Sequence, residues 1–178
     1  MESHLFSPFK LREVTLANRI VVSPMCQYSA VDGNVGDWHR VHLGMLANSG
    51  AGLLMVEATG VLPEGRISPD CTGLWNDENE AAFASVPKTV RAVSDIPLGI
   101  QIAHAGRKAS TFPPWRGGGP VPAEQGGWRT VGPSAIAFDE EYPAPQELDH
   151  TGMDRIRNSF VAAACRAARL GFEFLELH

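Results

Sequence analysis

The chain has 178 residues, 44% of them apolar and 20% charged, a balance that suits one globular domain with a sizeable core. A net charge of −5 without a basic stripe argues against nucleic acid as a partner, and no apolar run reaches the roughly 20 residues of a membrane helix. The 18 glycines and 13 prolines are scattered rather than periodic, which argues against collagen-like or low-complexity character. Along the chain, Ile20-Val21-Val22 is a β-branched run ending at Ser23-Pro24. From Asp37 to about Ser49, Trp38, Val41, Met45 and Leu46 recur at helical spacing until Gly50 and Gly52 stop the pattern. Residues 53–56 read as a buried strand. Asp77 is expected to cap a second helix, Glu78 to about Val93, with Pro87 as a point of kinking or breaking.

Residues 98–103 form another expected strand. Residues 105–150 are rich in Gly and Pro and poor in periodicity, and read as a long loop with one short hairpin near Val131 and 135–138. A third helix over about 152–169 carries Met153, Ile156, Phe160, Ala163, Ala164 and Ala167 on one side. Gly171 ends it, and 172–177 is a last strand. Strands alternating with helices imply parallel strands with right-handed crossovers, which fits a (β/α) barrel or an open doubly wound sheet. In either fold chemistry gathers at the carboxyl ends of strands. The stretches to weigh are therefore 23–28, 57–60, 101–108 and His178.

At the first strand end, Ser23-Pro24-Met25-Cys26-Gln27-Tyr28 can present backbone polar groups, a polarisable thiol and a phenol to a flat ring; Cys26 could equally pack as a small hydrophobe. At the third, alternation places Leu98, Ile100 and Ile102 on one face, and Gly99, Gln101 and Ala103 on a crowded inner one. The primary amide of Gln101 suits a heterocycle with donors and acceptors on one edge; a glutamine reaching for the surface is the plainer reading. His178 closes the chain where ligands bind in parallel sheets, on the same face as Glu176 and Phe174, although a lone histidine is more often structural. His39 and His42 lack a third ligand, so His39 reads as surface and His42 as helix packing. Gly117-Gly118-Gly119 neither follows a strand nor opens a helix and fails the context of a phosphate loop. A thiol hydrolase built on Cys26 and His178 has no local signature. The three cysteines (Cys26, Cys71, Cys165) argue against a disulfide framework or a metal cluster, the first residues show no signal-peptide pattern, and a cytoplasmic setting is expected.

Taken in order, the segments 5–9, 16–20, Ser23-Pro24-Met25-Cys26-Gln27-Tyr28, Asp37-Trp38-His39, 50–53, 56–59, 63–67, 101–108, 132–135 and Glu176-Leu177-His178 closely resemble the Old Yellow Enzyme family of flavin-dependent ene-reductases, in its YqjM-like or xenobiotic-reductase-like branch. The resemblance implies an α/β TIM (β/α)8-barrel fold. This chain would cover residues 1–178 as the N-terminal half of one FMN-binding domain: an N-terminal hairpin plugging the barrel floor, strands one to four, and 105–150 as a capping segment. It implies non-covalent FMN, NADPH or NADH as reductant, and reduction of activated C=C bonds in enals, enones or maleimides, with nitro compounds as further acceptors. By position, Ser23, Pro24, Met25, Cys26, Ala58, Gln101 and His178 would lie along the cofactor. Cys26, Tyr28 and His178 would act in catalysis, Cys26 by tuning the flavin and the other two by binding the acceptor oxygen; Lys108 also falls in a family motif.

The family continues beyond the fourth strand with a second histidine, a tyrosine, an arginine near the flavin N1 and a phosphate site. The resemblance therefore also implies a complementary C-terminal half, and homo-oligomers when the barrel is complete. The isolated chain is expected to be inactive. A non-catalytic role as an assembly partner of the other half is the alternative.

Overall fold

A computed structural model describes residues 3–178. A hairpin opens the chain, β1 (Phe9–Leu11) pairing antiparallel with β2 (Val14–Leu16). A four-stranded sheet follows in the order β3 (Val21–Val22), β4 (Leu53–Gly60), β5 (Leu98–Ala103), β8 (Phe174–Leu177), and every neighbouring pair is parallel. Helix α1 (Asp37–Ala47) crosses from β3 to β4. Two short helices, α2 (Asp77–Phe83) and α3 (Ser85–Arg91), cross from β4 to β5, and α4 (His150–Leu170) from β5 to β8.

Burial explains the layering. Leu54, Val56, Leu98, Ile100 and Ile102 join one core cluster with Leu43 and Ala47 of α1, Phe83, Val86 and Val90 of α2 and α3, and Ala163 and Ala167 of α4. Leu53 and Met55 point to the other face, where they pack on Leu16 of the hairpin with Val14 and Phe174. The sheet thus has helices on one face and the hairpin on the other, as alternation along each strand requires. Gly99 is needed on the hairpin face, since a Cβ there would stand 2.1 Å from the Met55 sulfur. Below β5, Arg91 donates to the Gly171 carbonyl (2.7 Å) and to Glu173 (2.6 Å), whose other oxygen accepts from the Leu98 N–H (2.9 Å).

Several expectations need correction. The second helix is two, joined at Ala84; Pro87 is the third residue of α3, where its missing N–H has no intrahelical carbonyl to bond. The cap of α2 is Asn76 rather than Asp77, the Asn76 Oδ1 accepting from the Asn79 N–H at 2.8 Å. Residues 135–138 are not a strand, because the Ile136 carbonyl is taken by Arg107 (2.7 Å). Instead β6 (Val131–Gly132) pairs in parallel with β7 (Gln146–Glu147).

Helix α1 shows the largest departure. His39, Leu43 and Ala47 are its buried positions, while Trp38, Val41 and Met45 are exposed. His39, expected at the surface, is 1% exposed. Helical spacing marks an apolar stripe, but it does not say whether a covering element lies over it.

Candidate functional site

The four parallel strands present their carboxyl ends along one rim. The loop after β3 supplies Ser23, Pro24, Met25, Cys26 and Tyr28, β4 supplies Glu57 and Ala58, β5 supplies Gln101, and His178 follows β8. Between β4 and β5 the register shifts. Val56 pairs with Ile100 and Thr59 with Ile102, so Glu57 and Ala58 together oppose Gln101. Such a bulge re-aims side chains and recurs next to active sites.

The bulge carries the Glu57 carboxylate into the interior, 4% exposed, under the loop after β3. There Oε2 accepts from the Gln27 N–H at 3.0 Å. Oε1 stands 3.4 Å from Nε2 of His39, a close approach rather than a full hydrogen bond. The Gly36 N–H donates to His39 Nδ1 (3.1 Å), which assigns the ring proton to Nε2, on the side of Glu57. Gln27 is tied a second time: its amide donates to the Met25 carbonyl (2.9 Å), and its oxygen accepts from the Trp38 indole (3.2 Å). The segment that carries Cys26 is therefore fixed from below by a buried carboxylate and from above by a glutamine brace.

Cys26 is half-buried and Cys71 buried. The Cys71 thiol beside it holds Cys26 below its ordinary range, against the opposing pull of burial and of Glu57. Cys71 is pushed the other way, first by that same contact and then by burial. Tyr28 adopts a positive φ of 48°, which a bulky side chain takes only where its surroundings impose it. Its ring meets Trp115 edge to face, centroids 5.2 Å apart, and so links the loop after β3 to the 105–150 segment. Burial raises the Tyr28 phenol above its ordinary range, and the field of Cys26 adds to this.

Gln101 is 7% exposed and donates one amide hydrogen to Glu176 (2.9 Å), its partner in the β5–β8 register. His178 is exposed, and its backbone N–H donates to the Ile102 carbonyl (3.0 Å). The rim thus gathers Cys26, Ala58, Gln101 and His178 from four neighbouring strand ends, with an exposed Met25 beside them. Tyr28 follows in the same loop as Cys26, with its ring against Trp115. The N–H groups of Gly117 and Gly118 donate to the carbonyls of Pro114 and Pro113, so they are not aimed at an anion. Among the described residues, no three His, Cys, Asp or Glu side chains gather as they would around a metal ion. No helix among them is long and apolar enough to cross a membrane.

His39, Trp115 and Cys71 were not legible as site residues, and Glu57 and Glu176 lay at the strand ends singled out in the sequence but without a role of their own. Glu57 follows an apolar run and Glu176 alternates with leucines, which is an ordinary strand pattern. The only signal for His39 is its place beside Asp37 and Trp38 at a helix start.

The sequence profile of the NADH:flavin oxidoreductase / NADH oxidase family matches residues 4–178. A NADH:flavin oxidoreductase of Gibberella zeae is 43% identical over an alignment of 178 residues that covers 98% of this chain and 43% of that protein. A NADPH dehydrogenase of Geobacillus thermodenitrificans is 39% identical over 180 residues, covering 100% of this chain and 48% of the other. The solved Old Yellow Enzyme homologue from Zymomonas mobilis superposes with a TM-score of 0.80 at 25% identity, over 99% of this chain and 48% of its own. The chain spans about half the length of the curated relatives it matches. Its hairpin and four parallel strands are the corresponding part of a TIM barrel, an open sheet that does not close on itself. The chain belongs to the NADH:flavin oxidoreductase / NADH oxidase family, with Old Yellow Enzymes among its structural relatives.

Proposed function

We propose that this chain supplies half of the active site of an FMN-dependent ene-reductase that uses NADPH or NADH. The observation that carries the reading is the convergence of Cys26, Ala58, Gln101 and His178 on one rim of the sheet. These residues fit the ring system of a flavin. The second N–H and the carbonyl oxygen of the Gln101 amide have no partner among the described residues, and so match a ring edge with alternating donors and acceptors. Ala58 and the proline of Ser23-Pro24-Met25 leave a low, flat approach. The glycine run offers no cradle for a phosphate, which falls to the complementary half of the barrel. When bound, FMN would supply hydride transfer from the nicotinamide to an activated C=C bond of an enal, enone or maleimide, with nitro compounds as further acceptors.

The chain's own residues divide the remaining work. Gln101 orients the ring edge, and Glu176 orients Gln101 through its 2.9 Å hydrogen bond. Cys26 sets its thiol against the ring and tunes it, held at that height by the Gln27–Glu57 hydrogen bond. Tyr28 and His178 donate to the acceptor's oxygen, which stabilises charge developing there as the double bond is reduced. Four parallel strands do not close a barrel of this type. The domain is therefore one half of a barrel whose complementary half completes the cofactor site, and the isolated chain is inactive. The completed protein assembles as a homo-oligomer in the cytoplasm.

The test is spectroscopic. The assembled protein is expected to be yellow, its flavin band bleached by NADPH without oxygen and restored by 2-cyclohexenone. An assembled protein that takes up no FMN would overturn the reading. Turnover by this chain alone would overturn the half-site claim.

A further inference from the structure

Cys71 has no part in the proposed reduction, yet hydrogen bonds made by its neighbour and by the neighbour of Cys26 hold both cysteines beside the end of β4. From one side, the residue after Cys26 donates its N–H to Glu57 (3.0 Å). From the other, the hydroxyl of the residue after Cys71 lies within hydrogen-bond distance of the Ala58 carbonyl (3.4 Å) and shares a hydrogen bond with Thr59 Oγ1 (3.0 Å). Both cysteines are thus anchored next to residues 57–59 of β4. Ala30 N–H donates to the Asp70 carbonyl (2.9 Å), joining the loop of Cys26 to that of Cys71, and Gly60 N–H donates to the Thr72 carbonyl (2.9 Å), tying the Cys71 loop to the end of β4. Cys71 itself is 1% exposed, whereas Cys26 is partly open at the rim.

We propose that Cys26 and Cys71 form a peroxide-responsive thiol pair, in which Cys26 is the thiol that peroxide oxidises first and Cys71 the resolving thiol that closes an intramolecular disulfide. The division of roles follows from accessibility: the partly open thiol meets the oxidant first, and the buried one can reach only its neighbour. The chemistry balances with hydrogen peroxide as oxidant. The Cys26 thiolate attacks one peroxide oxygen, the O–O bond breaks, and hydroxide leaves and takes up the thiol proton as water. The resulting sulfenic acid then condenses with the Cys71 thiol: an S–S bond forms, and the sulfenic hydroxyl departs as water with the Cys71 proton. Two electrons pass in all from the thiol pair to the peroxide. The disulfide would withdraw the Cys26 sulfur from the rim, and it would form with or without a flavin, so the proposal stands apart from the cofactor reading.

Trypsin places the three cysteines in separate peptides, 20–40, 67–88 and 158–166. The full chain, treated with hydrogen peroxide and then blocked with a maleimide, is expected to yield peptides 20–40 and 67–88 joined, lighter by two hydrogens and separated by dithiothreitol. Cys165, which is exposed, should remain available to the maleimide within the same molecules. In Cys71→Ala the joined species is lost and Cys26 sulfinic acid accumulates; a Cys165→Ser background that keeps the joined species separates this from cross-linking between chains. Cys26 oxidised to sulfinic acid in the unsubstituted protein, with no joined peptide, would overturn the proposal. So would a linkage confined to Cys165 between chains.

Discussion

The central and outer strands of the same sheet have similar sequences and opposite fates. Every residue of β4 and β5 is buried, whereas β3 and β8 alternate between half-buried and exposed, with Leu175 at 44% and Leu177 at 71% exposure. Ile100 and Ile102 are no more apolar in kind than Leu175 and Leu177. They differ in being covered by helices and by a strand on each side. Burial here is a property of the neighbours rather than of the residue. The same contrast separates the two sides of α1, where His39 is sealed and Val41 is open.

Substitutions sharpen the contrast. Ile100→Ala is expected to cost about 2–5 kcal/mol, because the emptied space is fenced by β4 and α4. Leu177→Ala should lie within roughly 0.5 kcal/mol of the parent. Urea denaturation of both variants checks the pair, and equal losses would break the comparison. At the rim, Glu57→Leu removes the acceptor of the Gln27 N–H and should cost about 1–3 kcal/mol, while Glu57→Gln keeps an acceptor and costs less. Hydrogen exchange at Gln27 would be accelerated in the leucine variant, and unchanged protection would show that the carboxylate does not hold the loop. Trp115→Ala removes the edge-on partner of Tyr28 and should cost roughly 0.5–1.5 kcal/mol, read as a lowered thermal midpoint.

The smallest effect is a pH dependence outside the sheet. Arg169 and then Arg166 hold the Glu80 carboxyl below its ordinary range, tying α2 to α4. A depressed folded pKa contributes stability that is present above the unfolded value of about 4.3 and is lost as pH falls through the folded value. The gap in urea midpoint between the parent and Glu80→Gln should therefore hold steady from neutral pH to about 5 and narrow below 4. A gap of the same size at pH 3 would contradict this pairing.

Much of the fold was legible because it rests on local signals. The four strand runs, Gly171 as a helix stop and the long 105–150 segment all follow from periodicity and turn residues. What escaped depended on partners distant in sequence. The bulge at Glu57 and Ala58 exists only in register with β5, and Asn76 displaced Asp77 as cap by one position. His39, assigned to the surface for want of a third metal ligand, is sealed because the exposed side of α1 carries Trp38, Val41 and Met45 instead. At the site, Cys26, Ala58, Gln101 and His178 sit at the expected strand ends. The groups that brace this rim and Tyr28, namely buried Glu57, half-buried Glu176 and exposed Trp115, come from pairings that no spacing announces.

The claim that this rim holds a flavin is tested most directly by FMN binding to the assembled protein, followed through quenching of flavin fluorescence. The account predicts saturable quenching that weakens by about tenfold or more in Gln101→Leu, since a hydrogen-bonded ring edge is worth roughly 1.5 kcal/mol or more. Equal affinity in the parent and in Gln101→Leu, or no quenching by the assembled parent, would contradict it.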